Sequence, residues 1–191
     1  RLSCCLSAAK KLVEERFNSD SLSSISIIKF SNNAQKIVNF ITPGFEDNLN
    51  KTLNSLTCNG YSALGDGLAL SIKTLIAELR KIGAKIPRIV LISDGNYMRT
   101  AVDPIKMARL AQGLNIRIDT FSLGNTRQNN LLKKISDISG GRYYYSNDLE
   151  SLLRSAKEIA DDNYKSYGAG KETLIENPAF LRKIAADLLR V

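Results

Sequence analysis

The chain has 191 residues, 43% of them hydrophobic, and carries 27 Lys and Arg against 19 Asp and Glu for a net charge of +8, with three Cys and no His. That length fits one domain of ordinary size plus an appendage, and the apolar content suffices for a core. The lack of His excludes Ser-His-Asp triads, Cys-His dyads and imidazole metal sites, and no stretch approaches the roughly 20 apolar residues of a membrane span.

Leu2, Cys5, Leu6, Ala9, Leu12, Val13 and Phe17 recur at helical spacing, so residues 2 to 17 are expected to form an amphipathic helix packing one stripe on a sheet. Ser24 to Phe30 and Gln35 to Ile41 are β-branched runs around Ser31-Asn32-Asn33-Ala34, the pattern of a hairpin whose second strand is an antiparallel edge. Pro43-Gly44 breaks the chain, and Leu49, Leu53 and Leu56 mark a short helix after Asp47. Leu64, Leu68, Ile72, Leu75, Ile76 and Leu79 predict a long helix over 63–82, stopped by Gly83 and Pro87. A strand follows at 88–92. Pro104 opens a helix to about Gln112, with Gly113 expected as its stop. Ile116 to Leu123 reads as a strand, Asn129 to Ser139 as a helix ended by Gly140-Gly141, Tyr143 to Tyr145 as a short strand with at least one ring in the core, and Leu149 to Ala160 as a helix.

Helices alternating with short apolar strands imply an α/β fold, an open and mostly parallel sheet with helices on both faces and one antiparallel edge strand. Residues 1–160 are expected to form this domain, 161–171 a polar linker, and 172–191 an amphipathic helix whose stripe is Phe180, Leu181, Ile184, Leu188 and Leu189. Such a stripe is expected to dock, on the domain or on a partner.

Two segments carry the functional signal. Asn59-Gly60-Tyr61-Ser62-Ala63-Leu64-Gly65-Asp66-Gly67-Leu68 reads as a hydroxyl-bearing turn opening a helix, and Arg88-Ile89-Val90-Leu91-Ile92-Ser93-Asp94-Gly95 as a buried strand ending in Ser-Asp-Gly. Both deliver oxygens near strand carboxyl ends, where open α/β sheets place ligand sites. With Ile27-Ile28-Lys29-Phe30-Ser31 and Ser122-Leu123-Gly124, they resemble the von Willebrand factor A (vWA) domain family, a doubly wound Rossmann-like fold, over residues 1 to about 160.

The resemblance implies a metal-ion-dependent adhesion site (MIDAS), in which hydroxyls and water-bridged aspartates hold a divalent cation and a partner's Asp or Glu completes its octahedron. By motif position Ser62 stands at the Thr and Asp94 at the last Asp, while Tyr61 replaces the usual Gly. The family's first motif, Asp-x-Ser-x-Ser at the end of a first strand, is missing. Asp20-Ser21-Leu22-Ser23-Ser24 has Leu22 where a hydroxyl is required and precedes a strand instead of ending one. Two ligating positions leave roughly four coordination places to water, so Mg²⁺ binding is expected to be weak. Asp94 capping its own loop and Ser62 capping the following helix are the plain structural alternatives.

The reading is a non-enzymatic protein–protein interaction module, a scaffold subunit of an intracellular assembly with a degenerate or incomplete MIDAS, whose partner surface is Tyr61, Ser62, Asp94, Asn96 and Tyr97. One alternative is a Mg²⁺-dependent adhesion domain that binds an acidic residue of a partner, its first motif lying upstream of Arg1. A second is a basic nucleic-acid-binding protein; the Lys and Arg residues are scattered over helix faces without interleaved stacking aromatics, which disfavours it. The three Cys form no disulfide framework, so a reducing, cytoplasmic compartment is favoured over an extracellular one. Gly168-Ala169-Gly170-Lys171-Glu172 resembles the end of a P-loop, but Glu172 stands where Ser or Thr should bind Mg²⁺. No nucleophile and base pair is found.

Overall fold

The structure is a computed structural model that describes residues 2–57, 62–82, 87–94, 102–123, 130–146 and 148–161. Within them run α1 (Leu2–Ser19), β1 (Ile25–Phe30), β2 (Ala34–Ile41), α2 (Glu46–Asn54), α3 (Leu64–Ile82), β3 (Arg88–Ser93), α4 (Pro104–Gly113), β4 (Arg117–Leu123), α5 (Asn130–Ser139), β5 (Tyr143–Ser146) and α6 (Leu149–Asp161). This is the expected order, with boundaries moved by a residue or two. The expected linker beyond Asp161, the helix at 172–191, Cys58, and the helix stop at Gly83 lie outside the described residues.

β3, β4 and β5 form a parallel sheet in that order, with Arg88 opposite Arg117, Ser93 opposite Ser122 and Thr120 opposite Tyr143. β1 and β2 pair antiparallel through the turn at 31–33, with register irregularities between Ile25 and Ile28. The open α/β sheet is therefore divided into a parallel triplet and a hairpin, with no hydrogen bonding between β1 and β3.

Strand alternation sends side chains to two faces. Ile89 and Leu91 of β3 and Ile118 of β4 point to one side, where Leu64, Leu68, Ile72 and Ile76 of α3, Ala108 and Ala111 of α4 and Leu132 and Ile135 of α5 cover them. Phe121 and Leu123 point to the other, under Ala8 of α1 and Leu152, Ala156 and Ile159 of α6. A third cluster joins Val13 and Phe17 of α1 to Val38 of β2 and Leu49 and Leu53 of α2. The β5 tyrosines divide as alternation requires: Tyr143 packs with the first cluster, and the Tyr144 ring stacks on Phe121 with centroids 5.1 Å apart.

Helix ends follow local chemistry. Asp103 caps α4 by accepting from the Ile105 N–H at 2.8 Å, and Pro104 occupies the first turn, where its missing N–H costs nothing. The expected stop at Gly113 is corrected. Gly113 is still helical, and the left-handed residue is Asn115, with φ of 54°. Asn tolerates that region, and placing the turn there lets Leu114 and Ile116 both bury completely.

Candidate functional site

The opening of α3 is fixed by its backbone. The Ala63 N–H donates to the Ser31 carbonyl at 2.7 Å, which ties the start of the helix to the end of β1, and the Leu64 N–H donates to the Ser62 carbonyl at 2.9 Å. Gly65 lies so close to Val102 that a Cβ there would fall 1.9 Å from the Val102 carbonyl oxygen, and a Cβ at Gly67 would meet the Phe30 ring at 2.9 Å. Glycine at these positions lets the first turn of α3 sit directly on the end of β1 and on the approach to α4. Ser62 is half-buried just ahead of that turn, and Asp66 lies within it.

β3 delivers the second element. Ile89, Leu91 and Ser93 are buried on the α3 side, and Asp94 is half-buried immediately after the strand. Ser93 stands opposite Ser122 of β4, so two buried serines sit side by side at the carboxyl end. The Ser122 hydroxyl is shut off from solvent with no hydrogen-bond partner among the described residues. Of the expected partner surface, Tyr61, Asn96 and Tyr97 lie outside the described residues.

A MIDAS cation asks for a set of oxygen donors, and the described residues do not supply one. They contain no group of three His, Cys, Asp or Glu able to hold a metal ion. One serine hydroxyl and one carboxylate fall well short of the six ligands of Mg²⁺.

Sequence reasoning missed a polar cluster at the opposite, amino end of the sheet. Asp119 of β4 is fully buried and accepts from the Arg88 Nε at 2.5 Å, the Arg117 Nε at 2.9 Å and the Arg142 backbone N–H at 2.7 Å. Arg88 also donates to the Ile159 carbonyl at 2.7 Å, and Arg16 to the Ala160 carbonyl at 3.2 Å, so two cations hold the last carbonyls of α6. The signal was present: Asp119 interrupts an otherwise buried strand, and a buried carboxylate requires paired donors. This cluster locks elements together and offers no open face for chemistry.

A model of the von Willebrand factor type A domain family matches residues 5–159. No curated protein matches the chain. Among solved structures, it is similar to a von Willebrand factor type A protein from Catenulispora acidiphila (TM-score 0.70, 17% identity, covering 84% of this chain and 37% of that one). It is also similar to the SpRpn10 VWA domain (TM-score 0.68, 16% identity, 85% and 86% covered). A third is proximal thread matrix protein 1 from the mussel byssus, in a form with a zinc-occupied MIDAS motif (TM-score 0.66, 16% identity, 84% and 42% covered). The chain thus spans well under half the length of the first and third of these. At such identities the likeness establishes the fold.

Proposed function

Because this chain belongs to the von Willebrand factor type A domain family, whose members are protein-interaction modules, we propose that it is a non-enzymatic scaffold module that binds another protein through the rim at the carboxyl ends of its strands. The carrying observation is the anchoring of the start of α3 to the end of β1 through Ala63 and Ser31. It gives Ser62 a rigid base at the end of β1, and Asp94 directly follows β3. Loops on a rigid scaffold carry binding more often than its faces do, and Tyr61, Asn96 and Tyr97 lie within three residues of Ser62 or Asp94 in sequence. An intracellular assembly fits the sequence reading of at least two of the three Cys as core residues.

The test is site-specific photo-crosslinking in extract of the source cells. Probes at Tyr61 and Tyr97 should yield one shared adduct, lost on Asp94→Ala, whereas a probe at the exposed Asp137 should not. Equal adducts from all three positions, or none from the rim, would refute the reading.

The zinc-occupied MIDAS of the mussel protein favours a second reading, in which a cation bridges the rim to a partner's Asp or Glu. The described residues alone support weak, water-rich Mg²⁺ binding at most. Calorimetry giving micromolar Mg²⁺ affinity that Asp94→Ala abolishes would move the assignment to metal-dependent adhesion.

A further inference from the structure

The two helical layers treat their charges differently. α1 and α6 cover one face of the parallel sheet, and their cations are matched close by: Lys11 pairs with Glu15 at 2.6 Å, Arg16 with Asp20 at 2.7 Å and Arg154 with Glu150 at 3.5 Å, while Lys10 donates to Asn54 at 2.8 Å. α3, α4 and α5 cover the other face, with α4 packed against both of its neighbours. Among the described residues their exposed cations are Lys73, Lys106, Arg109, Lys133 and Lys134, and no side chain or carbonyl among those residues accepts from any of them. The exposed acids on this surface offset them little. Asp103 is engaged in capping α4, and Asp137, one turn beyond Lys133 on α5, stands at the margin.

Helix electrostatics do not account for this placement. A helix favours anions in its first turn and cations in its last. α4 and α5 have neither an acid in the first turn nor a base in the last, and Lys106, Arg109, Lys133 and Lys134 occupy their first two turns instead. The two helices also run in the same direction, each returning from the carboxyl end of one parallel strand to the amino end of the next. The positive ends of both dipoles therefore add to the field of these side chains. Folding gains nothing from such an arrangement, whereas a carboxylate arriving from outside is attracted by every part of it.

We propose that the solvent face of α4 and α5, extended by Lys73 of α3, is a second binding surface, and that its occupant is a segment of another protein rich in Asp and Glu. Charge complementarity selects an anionic occupant, and the net charge of +8 sets a second copy of the chain at a disadvantage. The large exposed apolar side chains among the described residues are Leu22 and Phe45, and neither lies on α3, α4 or α5. The described part of this surface thus offers no ring on which to stack a base and no apolar wedge to enter a lipid interface. A carboxylate needs only an ammonium or guanidinium within reach. Three residues of helix advance about 4.5 Å from Lys106 to Arg109, and packed helices lie about 8–10 Å apart, so about eight residues of acidic chain span the surface. None of the rim residues takes part, and the two readings fail separately.

The probe is a fluorescein-labelled peptide of about ten residues in which Glu and Asp alternate with Gly and Ser, followed by anisotropy with the full chain from about 20 to about 200 mM salt. Two variants of equal net charge are compared. One combines Lys106→Glu, Arg109→Glu, Lys133→Glu and Lys134→Glu; the other combines Lys10→Glu, Lys11→Glu, Arg154→Glu and Lys157→Glu on the opposite layer. The wild type should bind, more weakly as salt rises. The first variant should lose about tenfold or more in affinity and the second no more than about threefold. Lys106→Gln, Arg109→Gln, Lys133→Gln and Lys134→Gln together, which remove charge without reversing it, should still cost about threefold or more. Equal losses from the two Glu variants, or no binding by the wild type at the lowest salt, would make the layer an ordinary solvated face and overturn the proposal. Tighter binding of an equally charged oligonucleotide, or of vesicles containing phosphatidylserine, that the first variant abolishes would overturn the choice of an acidic protein segment.

Discussion

Asp119 shows how one carboxylate can organise an end of a sheet. With no exposure and three donors, it bonds two arginines that approach from neighbouring strands. Removing one partner from a buried ion pair leaves the rest uncompensated, at about 3–5 kcal/mol, so Asp119→Ala should lower the denaturation midpoint by that order while leaving partner binding at the far rim unchanged in the folded fraction. Gly65 is constrained by space instead of charge. Gly65→Ala must push the Val102 carbonyl or the first turn of α3 aside and should destabilise by about 1–3 kcal/mol. Unlike Asp119→Ala, it should also weaken rim binding per folded molecule, because it displaces the base on which Ser62 rests. Equal binding by folded Gly65→Ala would separate the first turn of α3 from function. Of these residues, Asp66, Gly65 and Gly67 belonged to a recognisable segment, whereas the pairing of Asp119 with Arg88 depends on strand register across 31 positions, which no local pattern encodes.

At the scale of elements, most of the fold was legible because period and punctuation agreed. α3 shows its stripe, α4 its Asp-Pro opening, and β1 and β2 their hairpin. Gly113 misled because a glycine near a helix end is the usual stop, yet burial of Leu114 and Ile116 decided where the chain turned. α6 supplies a pH-dependent element. Asp148 accepts from the Ser151 backbone N–H at 2.7 Å and from its hydroxyl at 2.8 Å, and these bonds hold its carboxyl below the ordinary value of 3.8. Asp20, bonded to the Ser23 hydroxyl, the Leu22 N–H and Arg16, is lowered likewise. A depressed folded value means the stabilisation is complete above the unfolded one and is lost as pH falls through the folded one. Urea midpoints measured from about pH 5 to about pH 2 should therefore fall less steeply for Asp148→Asn, which keeps an acceptor at the cap, than for the wild type. Parallel curves would remove Asp148 from the acid response.

For the whole molecule, three clusters share the burial, and the helices that bridge them, α1 and α3, hold the hairpin to the parallel sheet. The family was readable from Ser62 to Leu68 and from Ile89 to Gly95, since motif residues are local. The metal set was not, because its first motif has no counterpart in the sequence. The two arginines on the last carbonyls of α6 have a further, topological consequence. They fix where α6 ends: beside Arg88, at the amino end of β3, about 20 Å of strand away from Asp94. α6 itself thus ends at the pole opposite Asp94. A folded cargo such as a fluorescent protein, fused directly after Asp161, should leave crosslinking from Tyr61 and Tyr97 intact, whereas the same cargo inserted between Asn96 and Tyr97 should block it. Under the proposed reading, the end that takes a partner and the end where α6 closes are opposite poles of one domain.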